Sequence, residues 1–349
     1  MLDDIETEWG GTIWGYTLIH NADKLDKVAS IIHDYLMGKN PYDVLAFTLT
    51  QKCSAQCEIC CFESSPTCTM SLDINRVREY INSASKLDYI KTIAFTGGEP
   101  FLIYNDLREL IKLASLSGKR VTTITNGYWA SNYDLVITKI KELKERGLNH
   151  LSISYDSYHS EYIDVNNIRN ILKATMQLGL PTSLAIVKLK DEKVSEIIDS
   201  LDDCLYATNL EIVPCLPVGA AKKNFKPHQF EKIYESNSQK LRCTYNGMLV
   251  VLYDGRILPC CSQAVVDTGL CIGDFNELSL EEALFKVKNN KLLYALRNSE
   301  MRCFYEYIKN FEDIELPDRV VNPCELCAHL FSPKLISRYK QLFDNHEIS

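Results

Sequence analysis

A short apolar run, Leu45-Ala-Phe-Thr-Leu-Thr50, leads directly into Thr50-Gln-Lys-Cys-Ser-Ala-Gln-Cys-Glu-Ile-Cys60. Cys53, Cys57 and Cys60 therefore fall within one short loop at the end of a strand-like segment. Thiolates are the usual ligands of iron–sulfur clusters, and four of them close a cubane. Three leave one iron without a protein ligand, and an open iron can bind a small molecule and do chemistry. Zinc also takes thiolates, but a structural zinc site is closed by four ligands, and Cys61, adjacent to Cys60, is poorly placed to complete one. A disulfide framework suits short secreted chains, whereas these fourteen cysteines are spread over 349 residues well supplied with apolar side chains.

A second motif narrows the reading. Lys91-Thr-Ile-Ala-Phe-Thr-Gly-Gly-Glu-Pro100 is a β-branched strand running into Gly97, Gly98, Glu99 and Pro100. Glycines let backbone approach a ligand closely, and Glu99 offers a carboxylate suited to an ammonium group. Alone, the segment is also an ordinary strand-to-helix turn. Placed one βα unit after the cysteine triad, it resembles the second signature of the radical S-adenosylmethionine (radical SAM) superfamily. That resemblance implies a [4Fe–4S] cluster on Cys53, Cys57 and Cys60, with SAM on its open iron and the methionine amino group held by Gly97–Pro100.

From Leu45 onward short apolar strands alternate with amphipathic helices. Strands are expected at Leu45–Thr50, Thr92–Thr96, Arg120–Thr125, His150–Tyr155, Thr182–Val187 and Asn209–Pro214. Helices are expected at Ile74–Leu87, Asn105–Ser115, Tyr133–Glu145, Ile168–Leu178 and Val194–Ser200. Alternation of this kind implies an α/β fold with a parallel sheet and right-handed crossovers. Six units match the partial (β/α)6 TIM barrel of radical SAM enzymes, with ligand sites at the carboxyl ends of the strands. Asn126, Ser154, Asp156 and Lys188 stand at such ends and are expected SAM contacts, together with Val218, whose segment resembles the family's adenine contact. A strand-end charge is also commonly a turn residue. His159 reads as a hydrogen-bonded structural histidine rather than a base.

Residues 1–43 read as a helical extension. Leu25, Val28, Ile31, Ile32 and Leu36 recur at helical spacing from Asp23 to Leu36, and this helix is expected to pack on the main domain. Residues 44–222 form the expected radical SAM core. Residues 223–349 change character. Cys243 is followed by Leu249-Val-Val-Leu-Tyr-Asp254-Gly255-Arg-Ile-Leu-Pro-Cys260-Cys261, in which Asp-Gly between apolar runs marks a hairpin. Pro323-Cys324-Glu-Leu-Cys327 comes far downstream. Cys243, Gly255 and Cys260, with the pair Cys324 and Cys327, resemble the SPASM and twitch domains, which implies a small cysteine-rich domain with a second [4Fe–4S] auxiliary cluster. The chain has no further cysteines after Cys327, so the resemblance is to the single-cluster twitch type. A zinc ribbon uses the same paired arms. Cys68, Cys204, Cys215, Cys271 and Cys303 read as buried thiols outside both sets.

Residues 45–332 are most similar to the YydG-type peptide epimerases that make epipeptides. Phe62-Glu-Ser-Ser-Pro66, Phe95–Glu99, Ile153–Asp156 with His159, Val218–Lys222, Pro259-Cys-Cys-Ser262 and Leu330-Phe331 carry that similarity. It implies action on a short ribosomally made precursor peptide: a 5′-deoxyadenosyl radical removes a Cα hydrogen, and a thiol returns one to the opposite face. Cys261 matches the donor position, beside Cys260. By spacing alone, Cys261 is equally a structural thiol, or the ligand with Cys260 spare. Where the family places an aspartate shortly after the first twitch cysteine, this chain has Cys243-Thr-Tyr-Asn-Gly-Met248, with Asn246 as the nearest polar substitute. A peptide cyclase forming thioether or carbon–carbon links is the alternative outcome of the same radical. A non-catalytic metal-binding scaffold is the alternative from another class. The electron donor is expected to be a flavodoxin or ferredoxin.

The formal net charge of −8 argues against general nucleic-acid binding. No apolar run is long enough to span a membrane. Met1-Leu-Asp-Asp-Ile-Glu lacks the basic start of a secretory signal. The expectation is a cytoplasmic protein in a reducing compartment. Two separate cysteine sets also predict how iron is shared: replacing Cys53, Cys57 and Cys60 together by Ala leaves roughly half of it after anaerobic reconstitution. A triple variant that retains all its iron would contradict two clusters.

Overall fold

The computed structural model describes residues 42–244, 247–311 and 313–339. The helix expected at Asp23–Leu36 and Asn246 both lie outside the described residues. In chain order the elements are β1 (Val44–Thr48), α1 (Ile74–Ser85), β2 (Thr92–Thr96), α2 (Tyr104–Leu116), β3 (Arg120–Thr125), α3 (Tyr133–Glu145), β4 (Leu148–Ser154) and the single turn α4 (Ser157–Ser160). They continue through α5 (Val165–Leu178), β5 (Thr182–Lys188), α6 (Ser195–Leu201), β6 (Thr208–Pro214), α7 (Gly219–Asn224), β7 (Tyr234–Glu235), β8 (Met248–Val251), β9 (Arg256–Leu258) and β10 (Gly273–Asp274). Last come α8 (Leu280–Lys288), α9 (Lys291–Asn298), α10 (Met301–Ile308), β11 (Arg319–Val320) and α11 (Pro323–Leu330).

Strands β1 to β6 pair in sequence order, all parallel, as the alternation of strands and helices requires. Their bounds differ from expectation by a residue or two. β1 stops at Thr48 because Leu49 and Thr50 leave the ladder for the cluster loop, where Thr50 bridges Ser71. α5 begins three residues earlier than its apolar period suggests, because the Asp164 side chain caps it by accepting from Asn166 N. Gly179, at φ 60°, ends that helix in the left-handed conformation.

The two faces of the sheet carry different side chains. Leu45, Phe47, Ile93, Phe95, Leu151, Ile153, Leu184 and Ile186 point outward and are buried in the main core. The intervening inward positions, Ala46, Thr48, Ala94, Thr96, Thr122, Ser152, Ser154, Ala185 and Val187, are mostly small or hydroxylated and line a cavity. A period of two separates the sets, and the small inner set leaves room that large residues would fill.

The hairpin expected at Asp254-Gly255 is present: β8 and β9 are antiparallel, Gly255 has φ 89°, and Asp254 accepts from Arg256 N. The cysteine-rich region is not a separate layer, however. β8 pairs parallel with β1, Val44 to Met248 through Phe47 to Val251, so the described sheet runs β10-β9-β8-β1-β2-β3-β4-β5-β6. Sequence pattern does not reveal this join, because strand neighbours two hundred residues apart leave no local signal. Two of the five cysteines expected to be buried are not: Cys271 is exposed and Cys68 half-buried, since both lie in irregular loops rather than on an inward face. Among the described residues no helix is long and apolar enough to cross a membrane.

The C-terminal region is welded to the first helix. Phe275 is fully buried, its ring 4.7 Å from Tyr80 and 6.5 Å from Phe47. The Arg76 guanidinium donates to Phe275 O and Leu278 O, and Tyr80 Oη donates to Leu278 O. Phe275→Ala is expected to cost about 3–5 kcal/mol, read as a lower urea midpoint. A loss below about 1 kcal/mol would mean the junction relaxes around the cavity.

Candidate active site

The cluster loop is held by backbone. Gly98 N donates to Thr50 O at 2.6 Å and Glu99 N to Lys52 O at 2.9 Å, so the end of β2 forms a ladder with the loop that carries Cys53. A Cβ on Gly98 would sit 2.4 Å from both Gln51 O and Lys52 O, and one on Gly97 would sit 2.7 Å from Thr50 O. The glycines thus serve close packing on the cluster loop, a role that the sequence pattern alone assigns to a ligand. Gly219, at φ 53°, does the same from the far side. Its Cβ would lie 2.5 Å from Cys61 O, and Ala220 N donates to Cys60 O at 3.0 Å.

Cys53, Cys57 and Cys60 face one end of a cavity of about 510 Å3 inside the barrel, which Gly97, Gly98, Pro100, Asn126 and Ser154 also line. Asn126 Nδ2 donates to Cys53 Sγ at 3.4 Å, Ala55 N to the same sulfur at 3.5 Å, and Ser64 N to Cys60 Sγ at 3.4 Å. Such donors stabilise a thiolate. Burial nevertheless pushes the Cys53 thiol up to about 12, with Glu99, Cys60 and Cys57 adding to the rise against the Ala55 amide. A buried set of mutually repelling thiolates suits a positively charged partner. Among the described residues no three His, Cys, Asp or Glu side chains converge on a single metal ion. Cys53, Cys57 and Cys60 line one common cavity, and thiolates gathered in this way are the usual ligands of an iron–sulfur cluster.

Two expected SAM contacts, Glu99 and Asp156, make hydrogen bonds within the fold. Glu99 is fully buried and outside the cavity lining. Oε1 accepts from Phe101 N at 3.0 Å and Thr125 Oγ1 at 2.9 Å, and Oε2 accepts from Asn126 N at 2.7 Å. Burial raises its carboxyl to about 7, against the pull of those donors. Trp129 Nε1 donates to Thr125 Oγ1 at 3.0 Å and stacks 4.6 Å from Phe101, so the network ties the ends of β2 and β3 together. Asp156, 1% exposed, accepts from Tyr158 N, His159 N, Val187 N and, at 2.8 Å, pairs with His159 Nδ1. It is His159 that reaches the cavity wall, bonded also to Cys57. Burial acts to lower the His159 imidazole, but Asp156 and Cys57 outweigh it and raise it well above its ordinary value. Lys188 and Val218 lie outside this cavity. Lys188 pairs with Glu231 at 3.1 Å, and Val218 is buried with Cys53 and Cys57 in a small core beneath the loop.

The second cysteine set gathers from distant parts of the chain. Cys243, Cys260, Cys324 and Cys327 line a cavity of about 120 Å3. Cys324 and Cys327 are presented by α11, which Asn322 caps by accepting from Cys324 N and Glu325 N. Burial raises the Cys327 thiol well above its ordinary range, and Cys260, Cys243 and Cys324 add to the rise. Cys260 is pushed up to about 12 for the same reason. Cys260, Cys261, Ser262 and Val265 also line the larger cavity, so this segment lies between the two sites. Arg297, which sequence reasoning missed, lines the smaller cavity. It donates to Tyr42 Oη, which donates in turn to Pro259 O at 3.2 Å. No local pattern marks Arg297, since only the fold brings α9 to Cys260.

Strand ends converging on a three-cysteine loop, with a second thiol set behind it, define a radical SAM enzyme with an auxiliary-cluster domain. The chain belongs to that superfamily. Residues 47–204 match the radical SAM superfamily model and residues 243–328 match the iron–sulfur cluster-binding SPASM domain. Its cofactors are SAM, the [4Fe–4S] cluster of the radical SAM domain and auxiliary iron–sulfur chemistry in the SPASM domain. The peptide biosynthesis protein YydG of Bacillus subtilis (strain 168) is 31% identical over 293 residues, 82% of this chain and 92% of that protein. A GTP 3′,8-cyclase of Clostridium botulinum (strain Hall) is 26% identical over 52% of this chain and 59% of its own length. In fold, the chain resembles Streptococcus suis SuiB bound to its precursor peptide SuiA, with TM-score 0.52, 13% identity, and coverage of 76% of this chain and 70% of that one. It also resembles anSMEcpe with AdoMet and the Cp18Cys peptide, with TM-score 0.50, 14% identity, and coverage of 86% and 98%.

The glycine contacts set a test. Gly98→Ala must displace two carbonyls of the cluster loop, at a cost of about 2–3 kcal/mol. Reconstituted iron should fall and the melting temperature should drop by about 2–4 °C per kcal/mol lost. Unchanged iron and melting would show that the loop is not packed against this glycine.

Proposed function

We propose that this enzyme epimerises residues of a ribosomally synthesised peptide, L to D, with Cys261 as hydrogen-atom donor. The observation that carries the reading is the position of Cys261: it is exposed on the wall shared by the barrel cavity and the four-cysteine cavity. The likeness to YydG, a peptide biosynthesis protein, supports a peptide substrate. Two proteins of this fold are crystallised with peptides, SuiB with SuiA and anSMEcpe with Cp18Cys. Residues 44–222 hold SAM and residues 223–349 the auxiliary cluster in this reading.

Cys53, Cys57 and Cys60 would hold the [4Fe–4S] cluster, which would supply the one-electron reduction of SAM that starts hydrogen abstraction. Gly97, Gly98, Pro100, Asn126 and Ser154 form the wall against which SAM rests, while Glu99 and Asp156 hold Asn126 and His159 in place. The inward alanines, serines and threonines leave space for the substrate backbone. Once the Cα hydrogen is gone, the Cys261 S–H bond breaks and a Cα–H bond forms on the opposite face. The sulfur is left one hydrogen atom short, and an external one-electron donor of the flavodoxin or ferredoxin class, with a proton from water, restores it. Cys243, Cys260, Cys324 and Cys327, which line the smaller cavity together, are the auxiliary ligands in this reading.

Cys261→Ala should still cleave SAM and open the peptide Cα–H bond, while D-residue product falls and side products rise. In deuterium oxide the wild type should place one solvent deuteron at each inverted carbon, because a thiol exchanges with water. Inversion without deuterium, seen by mass spectrometry, would remove the thiol donor. A product two hydrogens lighter than its precursor would establish cross-linking instead.

A further inference from the structure

In a parallel sheet both faces of a strand are normally covered. β5 obeys this: Leu184 and Ile186, on its outer face, are 0% and 2% exposed. β6 does not. Among the described residues it is the last strand of the sheet and pairs only with β5. Its register sets Leu210 and Ile212 beside Leu184 and Ile186, yet they are 40% and 48% exposed, and Tyr206, just before the strand, is 88% exposed. Asn209 and Glu211, on the other face, are exposed as well. The helix that follows, α7, packs against the backbone of Cys60 and Cys61 instead of covering β6.

Proteins ordinarily blunt a sheet edge with lysine, proline, a bulge or a covering element. Over Asn209–Val213 the described residues supply no lysine, proline, bulge or covering element; Glu211, on the cavity face, is the one charge, and the outer face offers apolar side chains beside a row of main-chain groups. Main-chain donors and acceptors in a row are recognised by another extended chain, which adds as a strand. The edge also leads to the right place. β6 runs into Cys215, Leu216 and Val218, which pack with Cys53 and Cys57. Glu211 and Val213 lie beside Ala185 and Val187, which line the barrel cavity.

From these observations we infer that β6 is the docking edge for the substrate, which adds as an extended, apolar-rich peptide segment and is thereby led into the barrel mouth. The inference rests on the peptide-substrate reading above and names where and how that substrate is held. Leu210, Ile212 and Tyr206 supply the side-chain contacts, and the outer main-chain row of β6 supplies the rest.

The test uses the full reconstituted chain and a fluorescein-labelled L-peptide of valine, isoleucine and threonine, alongside the same peptide with every backbone amide N-methylated. The unmodified peptide should bind and should slow hydrogen exchange at residues 208–214, and the N-methylated one should do neither. The double variant L210K/I212K changes only exposed side chains, so its iron content and peptide-independent SAM cleavage should match wild type. Its affinity for the peptide should fall by about tenfold or more, as edge lysines block strand addition. Equal binding of the N-methylated peptide, equal binding by the double variant, or no binding at all would overturn the assignment. So would slow exchange, in the enzyme alone, of the β6 amides that point away from β5, which would mean that another segment or a second copy already covers the edge. A peptide epimerised without protection at 208–214 sinks the docking edge and leaves the proposed function standing. Protection there by a peptide that is never modified does the reverse.

Discussion

The contact between the glycines after β2 and the carbonyls of the cluster loop determines the geometry of everything else in the site. Thr50, Gln51 and Lys52 carbonyls lie so close to Gly97 and Gly98 that any side chain would displace them. Cys53 follows immediately, so its sulfur is placed by this backbone ladder rather than by side-chain packing. Gly219 presses on the other end of the loop at Cys60 and Cys61. The triad is thus clamped between β2 and the segment after β6. Preorganisation of this kind spares the protein from ordering a mobile loop when it takes up its cluster, since fixing backbone costs about 1–2 kcal/mol per residue.

Around that clamp, buried carboxylates act through other groups. Glu99 and Asp156 look like ligands because acids at barrel strand ends so often are. Here each has its lone pairs taken by main-chain amides and one side-chain partner, so neither needs a ligand to offset the cost of its burial. Glu99 fixes Asn126, which donates to Cys53 Sγ, and Asp156 fixes His159, which contacts Cys57. Both networks end on cluster cysteines. The groups facing the cavity are instead an amide, an imidazole, hydroxyls and backbone.

The C-terminal region works because it continues the barrel sheet. β8 lies along β1, and the turn after β9 carries Cys260 and Cys261 to the barrel mouth. Phe275, locked between Tyr80 and Phe47, and Arg76, donating to two carbonyls, hold this region against α1. The wall between the two cavities is therefore the loop and short 3-10 turn that leave β9, anchored to the barrel sheet by β8 and β9. A thiol on that wall is presented to both cavities without any rearrangement of the chain.

What the sequence by itself determined is local or covalent in origin. The period of two along the strands marked the six parallel strands to within a residue or two, and the amphipathic helices between them to within three. The spacing of Cys53, Cys57 and Cys60 placed three thiols in one loop, because residues so close in the chain cannot be far apart in space. The Asp254-Gly255 turn was legible because only a few residues tolerate its backbone geometry. Tertiary structure alone decided the remainder. It turned Glu99 away from the cavity, brought Arg297 to Cys260, joined β8 to β1 and left β6 uncovered. Each of these depends on elements far apart in the chain, and the direction of a buried side chain is chosen by whichever donors the fold brings within reach. Residue identity constrains those partners weakly, so the sequence showed which groups were available and the packing decided what they do.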